Sequence, residues 1–113
     1  AARCELLAQT TRQAGEIYRL CNYSKAPSSS VTALATPIDS AKLRDWIEKE
    51  RNITIMGGQD QLKGKVIRIG HMGDVRDDDM VALFEAIADG LTQLNHPISK
   101  EQKQKATELI QAS

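Results

Sequence analysis

Two short β-branched runs constrain this chain more than any other feature. Ile53-Thr54-Ile55-Met56 and Lys65-Val66-Ile67-Arg68-Ile69-Gly70 are each too short for a stable helix. They are separated by a polar loop that opens on Gly57-Gly58 and closes on Gly64. Apolar runs of this length bounded by glycine read as neighbouring strands. The second run alternates, so Ile67 and Ile69 share one face of a sheet while Val66 and Arg68 share the other.

The rest of the chain supplies helices to cover that sheet. Leu7, Thr11, Ala14, Tyr18 and Cys21 recur at helical spacing with Ile17 beside them, which predicts a helix over about 3–20. Asn22 to Ser30 reads as a loop and Val31 to Thr36 as a strand closed by Pro37. Asp39 or Ser40 caps a helix carrying Leu43, Trp46 and Ile47 on one face, with Trp46 read as core. After Gly73 comes the clearest apolar stripe, Met80, Phe84, Ile87, Leu91 and Leu94. Asp74, Asp77, Asp78 and Asp79 crowd its start, where the positive end of the helix dipole favours acids. Gly90 inside it costs about 1 kcal/mol relative to alanine. His96-Pro97 ends it, and Ser99 with Gln102 has capping-box spacing for a polar last helix over about 100–112, expected to be peripheral. The expected class is α+β, a small three-stranded sheet with helices on one face, in the order α-β-α-β-β-α-α. The division expected is a domain over 1–96 and a peripheral helix over 97–113.

With 113 residues, 41% hydrophobic and 27% charged, the chain is an ordinary globular domain in composition. Fifteen basic and fifteen acidic residues cancel. A neutral chain makes no field that draws in nucleic acid or an anionic membrane, so neither is expected as a partner. No apolar run approaches the roughly 20 residues that span a bilayer. The absent initiating Met suggests a fragment or a processed product. Cys4 and Cys21 would lie roughly 25 Å apart on one helix, too far for a disulfide. Two unpaired thiols fit a reducing cytoplasm.

Chemistry is sparse. Arg68, mid-strand and pointing away from the core, is suited to bidentate capture of a carboxylate. Spacing alone favours the plainer reading, an exposed arginine on the open face of a sheet. Gly57-Gly58 gives room for a ligand or another chain, or is an ordinary strand end. Neither glycine loop is a Walker A sequence or a dinucleotide fingerprint. His71 lies in a glycine-flanked turn and His96 roughly 30 Å beyond it by helix rise, so no metal site is expected. The acid cluster at 77–79 lacks the pattern of an EF-hand and reads as a helix start. No Ser, Cys or Thr nucleophile stands beside a plausible base.

Ile53-Thr54-Ile55-Met56-Gly57-Gly58-Gln59, followed by Leu62-Lys63-Gly64-Lys65-Val66-Ile67-Arg68-Ile69-Gly70-His71-Met72-Gly73-Asp74-Val75, resembles the C-terminal small domain of class V, fold-type I aminotransferases. The nearest branch is the alanine–glyoxylate and serine–pyruvate enzymes, some of whose members carry the name of a soluble hydrogenase subunit. The resemblance runs from about Ala1 to Leu94 and is most specific in these two stretches. It implies that Arg68 binds the substrate α-carboxylate and that Gly57 and Gly58 border the active site. His71, Met72 and Gly73 match the turn that follows, with no catalytic role. It also implies pyridoxal 5'-phosphate as cofactor of the whole enzyme. The cofactor lysine belongs to a large domain upstream, and neither Lys63 nor Lys65 matches it. This chain is therefore expected to bind no cofactor and to be inactive alone. Its implied partners are that large domain, a second subunit in a homodimer, and a small amino or keto acid. The competing reading is a stand-alone small-carboxylate-binding or subunit-interaction module. Loss of a covering domain would uncover the face carrying Val66 and Arg68, so self-association through it is expected, with the first helix the part that rearranges.

Overall fold

The computed structural model describes residues 2–22, 31–58, 64–70 and 76–112. Four helices, α1 (Ala2–Ile17), α2 (Ser40–Arg51), α3 (Asp77–Gln93) and α4 (Lys100–Ala112), pack with four strands, β1 (Cys21–Asn22), β2 (Val31–Ala35), β3 (Met56–Gly57) and β4 (Val66–Gly70). The α+β class and the expected element order are present, with the two-residue edge strand β1 added to the three strands read from sequence. The sheet order is β1-β2-β4-β3, and every neighbour is antiparallel.

The register fixes which side chains share a face. Leu34 lies opposite Ile67, and Ala33 opposite Arg68. On the other edge Met56 lies opposite Arg68, and Gly57 opposite Ile67. Ile67, Ile69 and Leu34 are buried in the core with residues of all four helices. The alternation read from sequence is thus realised. Ala33, Arg68 and Met56 form a cross-strand row on the opposite face. Val66 is also on that side, yet it is fully buried. Among the described residues Met56 is the one large hydrophobic side chain classed as exposed. The expectation that Val66 lies uncovered is therefore corrected.

Helix ends explain most boundary differences. α1 stops at Ile17 because Arg19 takes a left-handed conformation, φ 64°. Leu20 N–H then bonds the Gly15 carbonyl, and Arg19 N–H that of Glu16. This is the Schellman arrangement, with arginine where glycine is usual. Asn95 does the same after α3, at φ 72°, with His96 N–H on the Leu91 carbonyl. Asp39, not Ser40, caps α2, accepting from Ala41 N–H at 2.9 Å. The Ser99–Gln102 capping box is formed in both directions, at 2.9 and 3.1 Å. Gln102 Nε2 also donates to the Ile17 carbonyl, tying α4 to the end of α1. α4 packs on α1 and α3, and its Ala106 and Ile110 are buried in the common core.

Two contacts set how the helices meet. A Cβ built on Gly90 would lie 2.7 Å from Leu43 Cδ1 and 3.1 Å from Trp46 Cε3, so the glycine lets α2 and α3 approach. Trp46 is half-buried against the core, and Arg51 stands 5.5 Å over its ring. Asp89 on α3 bonds Arg51 of α2 at 2.7 Å and Lys103 of α4 at 2.8 Å. Burial pulls the Asp89 carboxyl upward, but hydrogen bonds and charge from Lys103 and Arg51 outweigh it and hold its pKa below the ordinary aspartate value.

Gly90→Ala gains about 1 kcal/mol of helix propensity but overpacks the α2–α3 contact by about 1–3 kcal/mol. The expected outcome is a net loss of up to about 2 kcal/mol, read by urea denaturation; a gain would show that the contact is loose. Asp89→Asn removes pairs worth about 0.2–1 kcal/mol each at these partly exposed positions. Because the folded pKa is depressed, that contribution is present above the unfolded-state pKa and is lost as pH falls through the folded one. The stability gap between the parent and the Asp89→Asn variant is therefore full at neutral pH and narrows once the pH drops below the ordinary aspartate value. Urea midpoints of the two chains across the acid range check this.

Candidate functional site

β4 runs between two neighbours, which fixes the backbone of Arg68 on both sides. Its side chain leaves the face turned from the helices, beside the small Ala33 and the exposed Met56. The residue is half-buried, and its Nε donates to the Gly57 carbonyl at 2.7 Å. That bond fixes one edge of the fork, and among the described residues neither terminal nitrogen has a hydrogen-bond partner. Among the described residues no acid lies within ion-pair distance of Arg68.

β3 begins at Met56 rather than Ile53. Residues 53–55 follow the left-handed Asn52 that ends α2 and run apart from β4, with Ile55 buried in the core. The divergence leaves a cavity of about 280 Å³ between this segment, β4 and the start of α3. Its walls are mainly apolar, including Ile53, Ile69, Met80 and Leu83, with Arg68 and Asp79 as the charged groups. Asp79 is engaged in capping, where its Oδ2 accepts from Arg76 N–H at 3.0 Å. This assigns one of the crowded aspartates the helix-start role expected for them.

Gly57 and Gly58 are both half-buried. Gly57 is the last residue of β3, paired opposite Ile67, and neither glycine has a positive φ. The space at Gly57 is taken by Arg44 of α2. A Cβ there would meet Arg44 Cζ at 2.7 Å and both Nε and Nη2 at 2.8 Å. Arg44 Nη1 donates to the Ile55 carbonyl at 3.4 Å, while its Nε is buried without a partner. Sequence reading missed Arg44 because one arginine on a polar helix carries no signal. Its spacing from Leu43 and Ile47, both fully buried, was the available clue.

Gln59, Leu62 and Lys63, and the whole turn His71-Met72-Gly73 with Asp74 and Val75, lie outside the described residues. His96 borders a separate polar hollow with Arg19 and Gln102. Cys21 is a free, exposed thiol. Among the described residues no group of three or more His, Cys, Asp or Glu side chains is arranged to hold a metal. No described helix is long and apolar enough to cross a membrane. Among the described residues no lysine lines the cavity beside Arg68.

The chain matches no protein-family model. It is 35% identical over 97 residues to the soluble hydrogenase small subunit of Synechococcus sp. strain PCC 6716, covering 83% of this chain and 25% of that one. It is 30% identical over 112 residues to an uncharacterized aminotransferase of Methanocaldococcus jannaschii, covering 96% and 29% respectively. The serine–glyoxylate aminotransferase of Methylorubrum extorquens is 36% identical over 91 residues, or 76% and 22%. In fold, the chain superposes on the ureidoglycine–glyoxylate aminotransferase of Bacillus subtilis with a TM-score of 0.88 at 20% identity, covering 99% of this chain and 30% of that enzyme. The pyridoxamine–pyruvate aminotransferase of Mesorhizobium loti gives 0.85 at 22% identity, with 98% and 30% covered. The chain therefore spans about a quarter of the length of the curated relatives it matches. The similarity includes the last helix, beyond the limit at Leu94 expected from sequence. Its sequence relatives and structural neighbours are class V aminotransferases, and the chain has the fold of their C-terminal region.

Proposed function

We propose that this chain works as the small domain of a pyridoxal-phosphate-dependent aminotransferase, in which Arg68 binds the carboxylate of a small amino or keto acid and Gly57 and Gly58 form the rim. One observation supports the reading: Arg68 is half-buried, its Nε donates to the Gly57 carbonyl, and no acid among the described residues lies within ion-pair distance of it. A carboxylate approaching the two free terminal nitrogens is held bidentately, and a charge-assisted pair of this kind is worth about 1.5–3 kcal/mol. The names of the relatives fit that substrate class, since glyoxylate or pyruvate recurs in them. The cofactor and the lysine that holds it belong, on this reading, to the remaining three quarters of such an enzyme. So do the homodimer partner and the cytoplasmic setting. The small domain's share of the work is to orient substrate and narrow the site, not to move protons.

The cavity beside Arg68 favours a second reading, a carboxylate-binding module that needs no other domain. An apolar hollow of about 280 Å³ with Arg68 on its wall, and Asp79 there engaged in capping, is large enough for a small keto acid. The two readings separate on the isolated chain. Titration with pyruvate, followed by NMR, shows saturable shifts around Arg68 only if the module binds alone.

Joined to its large domain, the chain with Arg68→Ala should raise KM for carboxylate substrates about 10- to 100-fold. Arg68→Lys should recover only part of that, because an ammonium cannot make the paired bonds. An unchanged KM removes Arg68 from this role. The isolated chain, mixed with pyridoxal phosphate and dialysed, should keep no lysine-bound cofactor absorbance and show no transamination. Retained absorbance with turnover would overturn the small-domain reading.

A further inference from the structure

The structure carries one more assignment, and it concerns Arg44 and Gly57. A glycine in a strand usually answers a need for positive φ or a bulge. Gly57 has neither, since it sits in register opposite Ile67 and Gly64 is the described glycine with positive φ. What Gly57 lacks is a Cβ, and the guanidinium of Arg44 occupies that place, within 2.7–2.8 Å of where the carbon would stand. Pairing with Ile67 puts the missing Cβ on the helix side of the sheet, so Arg44 lies beneath β3 while Arg68 reaches the same residue's carbonyl from the other face. The edge strand is held between two arginines.

We infer that Arg44 is a positioning residue: it seats the backbone of Gly57 at the height where its carbonyl receives Arg68 Nε, and Gly57 is glycine to admit Arg44. Arg44 is rooted on α2 between Leu43 and Ile47, both fully buried, so its base does not shift. Its Nη1 reaches the Ile55 carbonyl, bracing β3 at a second point two residues upstream. Its Nε is buried and unpartnered, which is a cost that a free surface arginine would avoid by turning to water. The guanidinium fills the space that a Cβ on Gly57 would take, and that fit accounts for its being kept there. The geometry stands by itself; its functional meaning rests on Arg68 being the carboxylate anchor.

A double-mutant cycle on the 113-residue chain tests this. The readouts are hydrogen exchange at Arg68 Nε–H by NMR and the urea midpoint. Gly57→Ala should speed Arg68 Nε–H exchange about tenfold or more, since the added Cβ displaces Arg44 and with it the carbonyl. Arg44→Ala should do the same. The double variant should exchange no faster than Arg44→Ala alone, because the alanine methyl falls into the vacated space. Arg44→Met, which keeps the stem but not the plane, serves if Arg44→Ala fails to fold, and it should show the same acceleration at a urea midpoint near the parent's. Additive effects, or unchanged Arg68 exchange in both Arg44 variants, would overturn the assignment. If instead Arg68→Ala and the parent, each joined to the large domain, bind substrate equally well while the cycle is non-additive, the anchor reading falls and the Arg44–Gly57 coupling stands.

Discussion

β4 has a hydrogen-bonded neighbour on each edge, and everything else in the molecule is arranged around its alternation. Ile67 and Ile69 point into the helices and Arg68 points out. A one-residue slip of register would put the guanidinium into the core and two isoleucines into water. Burying a cation without a partner costs several kcal/mol, far more than any other local choice in the sheet can offset. The register with β2 and β3 is therefore set by the chemistry of three consecutive side chains. The short strands on either side need only match it.

The helices complete what the strands begin. Three strands of two to five residues and a two-residue edge cannot fold alone. α1 packs on β1 and β2, α2 on β3 and β4, and α3 and α4 close over them. Small residues let these layers approach. Gly15 lies close to Leu34, where an added Cβ would stand 3.1 Å from its methyls, and Gly90 admits Leu43 and Trp46. The cost of Gly90 as a helix residue is thus tied to the closeness of α2 and α3, and Asp89 beside it adds ion pairs to helices on both sides.

How much of this was legible in the sequence depends on whether the deciding signal is local. The alternation of β4, the stripe of α3 and the Ser99–Gln102 box are patterns within a few residues, and each is realised. The start of β3 was not legible, because whether Ile53–Ile55 pairs with β4 or leaves it depends on where α2 ends. The left-handed caps at Arg19 and Asn95 were hidden because glycine, the usual signal, is absent there. α4 looked peripheral from its polarity. Its burial depends on Ala106 and Ile110 meeting α1 and α3, which no local pattern states. Arg68 could be placed on the outer face from spacing alone, but its bond to Gly57 needed the strand pairing, and Arg44 needed the tertiary contact.

Charge economy connects the fold to the site. The chain is neutral, yet its charges are not evenly satisfied. Arg51 and Lys103 share Asp89, and Lys105 faces Glu101. Arg44 and Arg68, on opposite faces of β3, have no acid within ion-pair distance among the described residues. Both instead use backbone carbonyls, of Ile55 and Gly57. A carbonyl orients a guanidinium but cancels none of its charge. Among the described residues neither cation is ion-paired, and Arg68 shares the wall of the apolar hollow with Asp79, whose carboxylate is held by the Arg76 N–H.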